Sequence, residues 1–178
     1  MRKLTKEEIA SRRIPKENIS RVDRLPIYGL LDSIRSLYNV GSIFRTSDGA
    51  MLRRLYLCGY TPKPPRTEIE KTSLGATGSV PWEHFTDPLE AIALARGEGA
   101  TICILEQTST SIPYCEIRKS HFPVCLVVGN EISGVSEDVV QASDMAIEIP
   151  MYGTKQSLNV AVAYGIALFE LVRVLKSG

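Results

Sequence analysis

The chain predicts an α/β domain with a mainly parallel sheet and helices on both faces, and three observations carry that expectation. Short apolar runs alternate with segments of helical period along most of the sequence. Residues 124–128 (Val-Cys-Leu-Val-Val) are apolar without alternation, as in a strand covered on both faces. Turns rich in Gly and Asn, each with a charged residue, stand beside the apolar strands at 39–45 and 129–134, where open α/β sheets bind ligands. At 178 residues, with 44% hydrophobic and 23% charged, one domain with a full core is expected.

Taken in order, Thr5 with Glu8 three residues on is a capping-box pattern, so a helix is expected over 5–13. Residues 25–34 read as a first strand, interrupted by Pro26 and Gly29, and a helix follows over 39–51 with Asn39 in the capping position. A second strand covers 55–58. Residues 60–67 hold Pro62, Pro64 and Pro65 and are a loop. A short helix at 69–74 closes at Gly75, and 80–85 is a weak strand. Asp87 caps a helix that starts on Pro88 and runs to residue 96. Strands at 100–105 and 124–128, a short helix at 137–142 and a last strand at 146–149 follow. Ser157 is expected to cap the closing helix, which runs to about residue 175 and is apolar nearly all round. Such a helix packs on the sheet and on something else, and a second subunit is one candidate.

The net charge of +1 hides an asymmetry. Residues 1–24 hold eight basic and four acidic side chains, a net +4; the remainder holds 13 basic and 16 acidic, a net −3. A basic arm (1–24) on a mildly acidic body (25–178) suits contact with phosphates, although a solvated amphipathic helix has the same composition. No apolar run reaches the length of a membrane span, and the charged N-terminus lacks a secretory pattern. Cys58, Cys103 and Cys125 sit in strand-like runs, and no C-x-x-C pair occurs. Reduced core thiols in a cytoplasmic protein are expected, and no metal site, since His84 and His121 lie far from paired cysteines.

Three constellations carry chemistry. On a helical wheel, Arg45 falls opposite the apolar face of Val40, Ile43, Phe44 and Met51, among the small neighbours Gly41, Ser42 and Gly49; it is accessible to a large anion, or simply paired with Asp48 at i+3. The run Val128-Gly129-Asn130-Glu131 takes a buried strand into a polar turn. There Gly129 admits a ligand close to the backbone, and Glu131 can accept from a ribose or pair with an arginine. Ile149-Pro150-Met151, then Ser157-Leu158-Asn159-Val160, place a loop against a helix start. Neither a Rossmann glycine fingerprint nor a P-loop is present.

Taken together, Asn39-x-Gly41-x-x-x-Arg45, Asn130-Glu131-x-x-Gly134 and Ile149-Pro150-Met151…Ser157-Leu158-Asn159-Val160 resemble motifs 1, 2 and 3 of the SpoU/TrmH class of SPOUT methyltransferases. Thr72-Ser73-Leu74-Gly75-Ala76 before Val80-Pro81 is similar to the family's middle region. Ala161 departs from it, since many members carry serine there. The resemblance covers roughly residues 25–175. It implies a C-terminal deep trefoil knot, a homodimer whose active site uses both subunits, and transfer of a methyl group from S-adenosylmethionine to a ribose 2′-hydroxyl of tRNA or rRNA.

The resemblance also implies residue roles. The cofactor would be lined by Leu105, Glu106, Gln107, Gly129, Asn130, Ile149, Met151, Ser157 and Leu158. Arg45 would be catalytic, Asn39 would position the ribose, Glu131 would hold Arg45 or the ribose, and Asn159 would brace the motif loops. A guanidinium rarely loses its proton, so Arg45 is expected to clamp the neighbouring phosphate and stabilise the forming alkoxide. Two other readings stand beside this one: a non-catalytic RNA-binding module of the same fold, and a methyltransferase of that fold acting on a base.

Overall fold

The computed structural model describes residues 1–177, apart from the side chains of Lys16, Glu17 and Ser20. Seven strands, β1 (Leu25–Asp32), β2 (Leu52–Cys58), β3 (Trp82–Phe85), β4 (Thr101–Leu105), β5 (Ile112–Pro113), β6 (Val124–Val128) and β7 (Met145–Glu148), form one sheet among the described residues. Its order is β3-β2-β1-β6-β4-β7-β5. Every pairing is parallel. All carboxyl ends therefore lie along one edge, and those of β1, β6, β4 and β7 are neighbours.

Alternation within the buried strands divides the core in two. Val124, Leu126 and Val128 of β6 face one side with Ile27, Leu31 and Cys103. Cys125 and Val127 face the other with Tyr28, Leu30, Ile102 and Ile104. The first face is covered by α2 (Leu37–Gly49), α3 (Thr67–Ser73) and α6 (Val160–Lys176), which bring Val40, Ile43, Phe44, Ile69, Tyr164, Leu168 and Leu171. The second is covered by α4 (Pro88–Gly97) and α5 (Glu137–Gln141), through Ala91, Ile92, Ala95 and Val139. The run at 124–128 lacks polar alternation because both of its faces are inside.

Two glycines decide how closely elements approach. A Cβ at Gly41 would strike the Ile69 carbonyl and the Thr72 hydroxyl, so Gly41 lets α2 press against α3. A Cβ at Gly29 would stand 2.7 Å from both Leu55 Cδ1 and the Tyr164 hydroxyl. The space beside Gly29 admits the Tyr164 ring, whose hydroxyl pairs with Ser47 at 2.8 Å. Glycine at this point of β1 is thus a packing choice and not a strand break.

The arm is the least embedded part. Its helix α1 (Lys6–Ala10) carries the expected capping box between Thr5 and Glu8 and has no buried residue. Cys58, Cys103 and Cys125 are buried, as expected, and Cys115 is exposed. Several boundaries differ from the sequence expectation. Ser36, not Asn39, caps α2, its hydroxyl accepting from the Asn39 N–H. Asn159, not Ser157, caps α6, because its Oδ1 accepts from both Ala161 and Val162 N–H. In both places a capping-competent residue stands three positions or fewer away, and the side chain with a free backbone N–H in reach wins. Strand β5, only two residues long, has no period to read.

Candidate functional site

At the carboxyl ends of β1, β6, β4 and β7 four loops converge. The loop after β6 is shaped first by Asn130. Its Oδ1 accepts from Ile132 N–H (2.9 Å) and Ser133 N–H (3.0 Å), and its Nδ2 donates to Ser33 O (2.9 Å) and the Tyr60 hydroxyl (2.7 Å). Those four bonds use the full capacity of a primary amide. The Asn130 side chain therefore shapes the loop, and its backbone is what it offers a ligand.

Gly129 also serves the loop itself. A Cβ there would run into the backbone of Gly134 and Val135. Here the chain folds back on itself closely enough to need glycine. Gly134 (φ +73°) closes this turn, exchanging two backbone bonds with Asn130 at 2.9 Å. The Glu106 carboxylate supports the turn from β4, accepting from Val135 N–H at 3.2 Å.

The three motifs are joined by one chain of side-chain bonds. Asn159 Nδ2 donates to Asn39 Oδ1 (3.1 Å), and Asn39 Nδ2 donates to Glu131 Oε1 (2.8 Å). Glu131 also accepts from Arg35 N–H (2.8 Å) and Ser36 N–H (3.1 Å). Burial alone would push the Glu131 carboxyl up. The Arg35, Asn39 and Ser36 donors outweigh it and hold the group below the ordinary carboxylate range. Glu131 is thus committed to the start of α2, bonding Arg35, Ser36 and Asn39 and not Arg45. The expected bracing by Asn159 is present as geometry, passed through Asn39.

These loops enclose a cavity of about 320 Å³. All nine residues expected around a cofactor line it: Leu105, Glu106 and Gln107 after β4, Gly129 and Asn130 after β6, and Ile149, Met151, Ser157 and Leu158 after β7. Gln107 Nε2 ties two of the walls by donating to Gln156 O at 2.7 Å. Six further lining residues, Val128, Ile132, Gly134, Glu148, Val160 and Ala163, were not among the expected site residues. Glu148 ends β7 one position before Ile149. Ala163 stands one helical turn after Asn159, a spacing that could have pointed to it.

The charged residues lining the cavity are Glu106, Glu131 and Glu148, with no basic side chain among them. Arg45 lies elsewhere in the chain. It is exposed on α2 and lines a second groove with Arg12 and Arg13 of the arm. The alternative pairing with Asp48 is not made either, since Asp48 accepts from the Ser79 hydroxyl. One cavity therefore suits a cation with apolar faces, and the other suits a polyanion. Among the described residues no cluster of His, Cys, Asp and Glu could hold a metal ion, and no helix is long and apolar enough to cross a membrane.

Fold and site together define an α/β protein with its binding cavity at the carboxyl edge of a parallel sheet. The model of the SpoU rRNA Methylase family matches residues 26–169, and the chain belongs to that family. It is 36% identical over 146 residues to the tRNA (guanosine(18)-2′-O)-methyltransferase of Aquifex aeolicus, covering 80% of this chain and 66% of that one. The enzyme of the same description from Thermus thermophilus is 30% identical over 174 residues, covering 97% and 88%. Against the Escherichia coli enzyme of that description the chain spans 61% of the relative's length. Among solved structures, the Aquifex aeolicus TrmH/SpoU tRNA modifying enzyme superposes with a TM-score of 0.77 at 30% identity over 89% of this chain and 83% of that one. An AdoMet-bound rRNA methyltransferase from Sinorhizobium meliloti gives 0.80 at 29% identity, over 89% and 61%.

Proposed function

We propose that the chain transfers a methyl group from S-adenosylmethionine to a ribose 2′-hydroxyl of tRNA or rRNA. The observation that carries this reading is the bonded chain Asn159–Asn39–Glu131, which locks all three motifs around one acid-lined cavity. The residues present fit the cofactor. Leu105, Ile149, Met151 and Leu158 supply apolar walls for a purine, and free backbone groups at the strand ends supply its edge partners. Glu106 and Glu148 give a negative field to a sulfonium and an ammonium. When bound, that cofactor supplies an electrophilic methyl carbon. The relatives support this reading: three are described as guanosine 2′-O-methyltransferases of tRNA, and one solved rRNA methyltransferase binds AdoMet.

The chain's own residues have separable tasks in this reading. Glu131 and Asn159 fix the rotamer of Asn39, so its amide is held at the cavity rim to orient a ribose. The Arg45 guanidinium clamps a phosphate next to the target sugar and stabilises the oxyanion as the hydroxyl proton leaves to water. Since Arg45 is outside this chain's cavity, a second copy of the chain would present it to the first. The exposed apolar stripe Val162, Ile166 and Phe169 of α6 is the surface that such a homodimer would cover.

A trefoil knot belongs to the same reading. Residues 149, 151, 157 and 158 line the same cavity as the loops after β4 and β6, and Gln107 Nε2 donates to Gln156 O, contacts that such a knot would make. The buried thiols suit the reducing cytoplasm, and the basic arm would be an RNA contact.

The test is methyl transfer from labelled cofactor to total tRNA and to rRNA, followed by mapping. A nuclease-resistant dinucleotide carrying the label is the expected product. Label on a base would select the base-directed alternative, and no transfer to any RNA would leave a binding module.

A further inference from the structure

Among the described residues three non-glycine residues hold a left-handed backbone, and two of them, Met51 (φ +51°) and Leu74 (φ +49°), wall the groove beside Arg45. An L side chain rarely stays in that conformation, and glycine would fit it freely. Leu74 ends α3 there with its side chain 66% exposed, so packing does not explain leucine at this position. Strained residues of this kind gather where a surface has work to do.

The groove, of about 430 Å³, has two characters. Arg12 and Arg13 from the arm and Arg45 from α2 bring three guanidinium groups to it. Its one carboxylate, Asp48, is engaged by the Ser79 hydroxyl, and the guanidinium of Arg24 lies nearby, donating to Ser79 O. Between these charges Ile14, Met51 and Leu74 give apolar surface. The groove also borders the open face of α6, since a Cβ on Gly49 in its wall would stand 3.7 Å from Phe169 Cζ.

We propose that this groove is a nucleotide subsite for substrate RNA: an unstacked base lies on Leu74, Met51 and Ile14, while Arg12, Arg13 and Arg45 take the phosphates on either side. It rests on the RNA methyltransferase reading and assigns Leu74 as a positioning residue. Charge separates the two ligands. The acid-lined cavity rejects the polyanion, and the arginine-lined groove attracts it. Single-stranded nucleic acid is held in this way, by cations along the backbone and apolar surface under the bases.

Leu74→Gly tests this cleanly, because glycine relieves the backbone and removes the exposed side chain together. The measurements are thermal stability, affinity for S-adenosylmethionine, and direct binding of total tRNA and of rRNA. Stability should hold or rise and cofactor affinity should be unchanged, while RNA affinity falls about fivefold or more, as for one lost base contact. Arg12→Ala with Arg13→Ala should reduce the slope of log K against log salt by about 0.7 per arginine. Equal RNA affinity in Leu74→Gly and the parent overturns the subsite, as does a parent that binds no RNA. A parent that binds RNA without methylating it sinks the methyltransferase reading and leaves the affinity comparison to decide this one.

Discussion

Asn39, Glu131 and Asn159 each make one bond that the next depends on, so their effects should not add. Asn159→Ala removes the cap of α6 and should cost about 1 kcal/mol of stability. It also frees Asn39, and the double variant with Asn39→Ala should lose less activity than the product of the single losses. Steady-state kinetics on the four members of the cycle would show this, and strict multiplicativity would mean that the bonded chain has no role. Glu131 adds a pH dependence. Its carboxyl is held below its ordinary value, so its contribution is fully present above about pH 4.3 and is lost as pH falls through the depressed value. Acid unfolding followed by circular dichroism should be shallower in Glu131→Gln over that window. Gly129→Ala forces a methyl group into the Gly134–Val135 backbone and should cost about 1–3 kcal/mol, more if the turn cannot move. Arg45→Ala should abolish methyl transfer with cofactor affinity intact, whereas Arg45→Lys keeps part of the rate; equal turnover in all three would remove Arg45 from the mechanism.

The elements show how far a pattern reaches. Strand β6 was legible to the residue, because a run apolar on every position has one place to go in an α/β domain. Helix α4 was as clear, with Asp87 accepting from Leu89 N–H and Pro88 at the first position. Helix α6 was expected to be apolar all round, and it divides that surface. Tyr164, Leu168 and Leu171 face the sheet, whereas Val162 and Phe169 remain 51% and 49% exposed. Phe169→Glu should leave the fold intact, since the side chain touches the core only at its edge. Light scattering should then report a monomer, with methyl transfer lost, if this face joins two copies. A dimer that survives the change would place the interface elsewhere.

At the scale of the molecule, the charge asymmetry becomes a division of labour between an acid-lined cavity at the sheet's carboxyl edge and an arginine-lined groove fed by the arm. Removing residues 1–20 should weaken RNA binding and flatten its salt dependence while cofactor affinity holds, as nitrocellulose filter binding across a salt series would record. An unchanged slope would rule out the arm as an RNA contact. The thiols give an independent check of the core. Burial pushes Cys103 up to about 12 and raises Cys58 and Cys125 as well, so a thiol reagent should label Cys115 alone in the native protein.

The amino-acid order was enough for the layered α/β class, the strands with continuous apolar runs and the capping box at Thr5, because each is a local pattern, whereas the nine residues around the cavity were expected from the family resemblance and not from spacing. Folding decided the rest. Which of Ser36 and Asn39, or Ser157 and Asn159, caps a helix depends on which N–H groups the chain leaves unpaired. That Asn130 spends its whole amide on the loop, that Glu131 serves Asn39 and not Arg45, and that Arg45 shares a groove with the arm all arise between residues far apart in sequence. A side chain's partner is set by how elements pack, and no spacing along the chain records that distance.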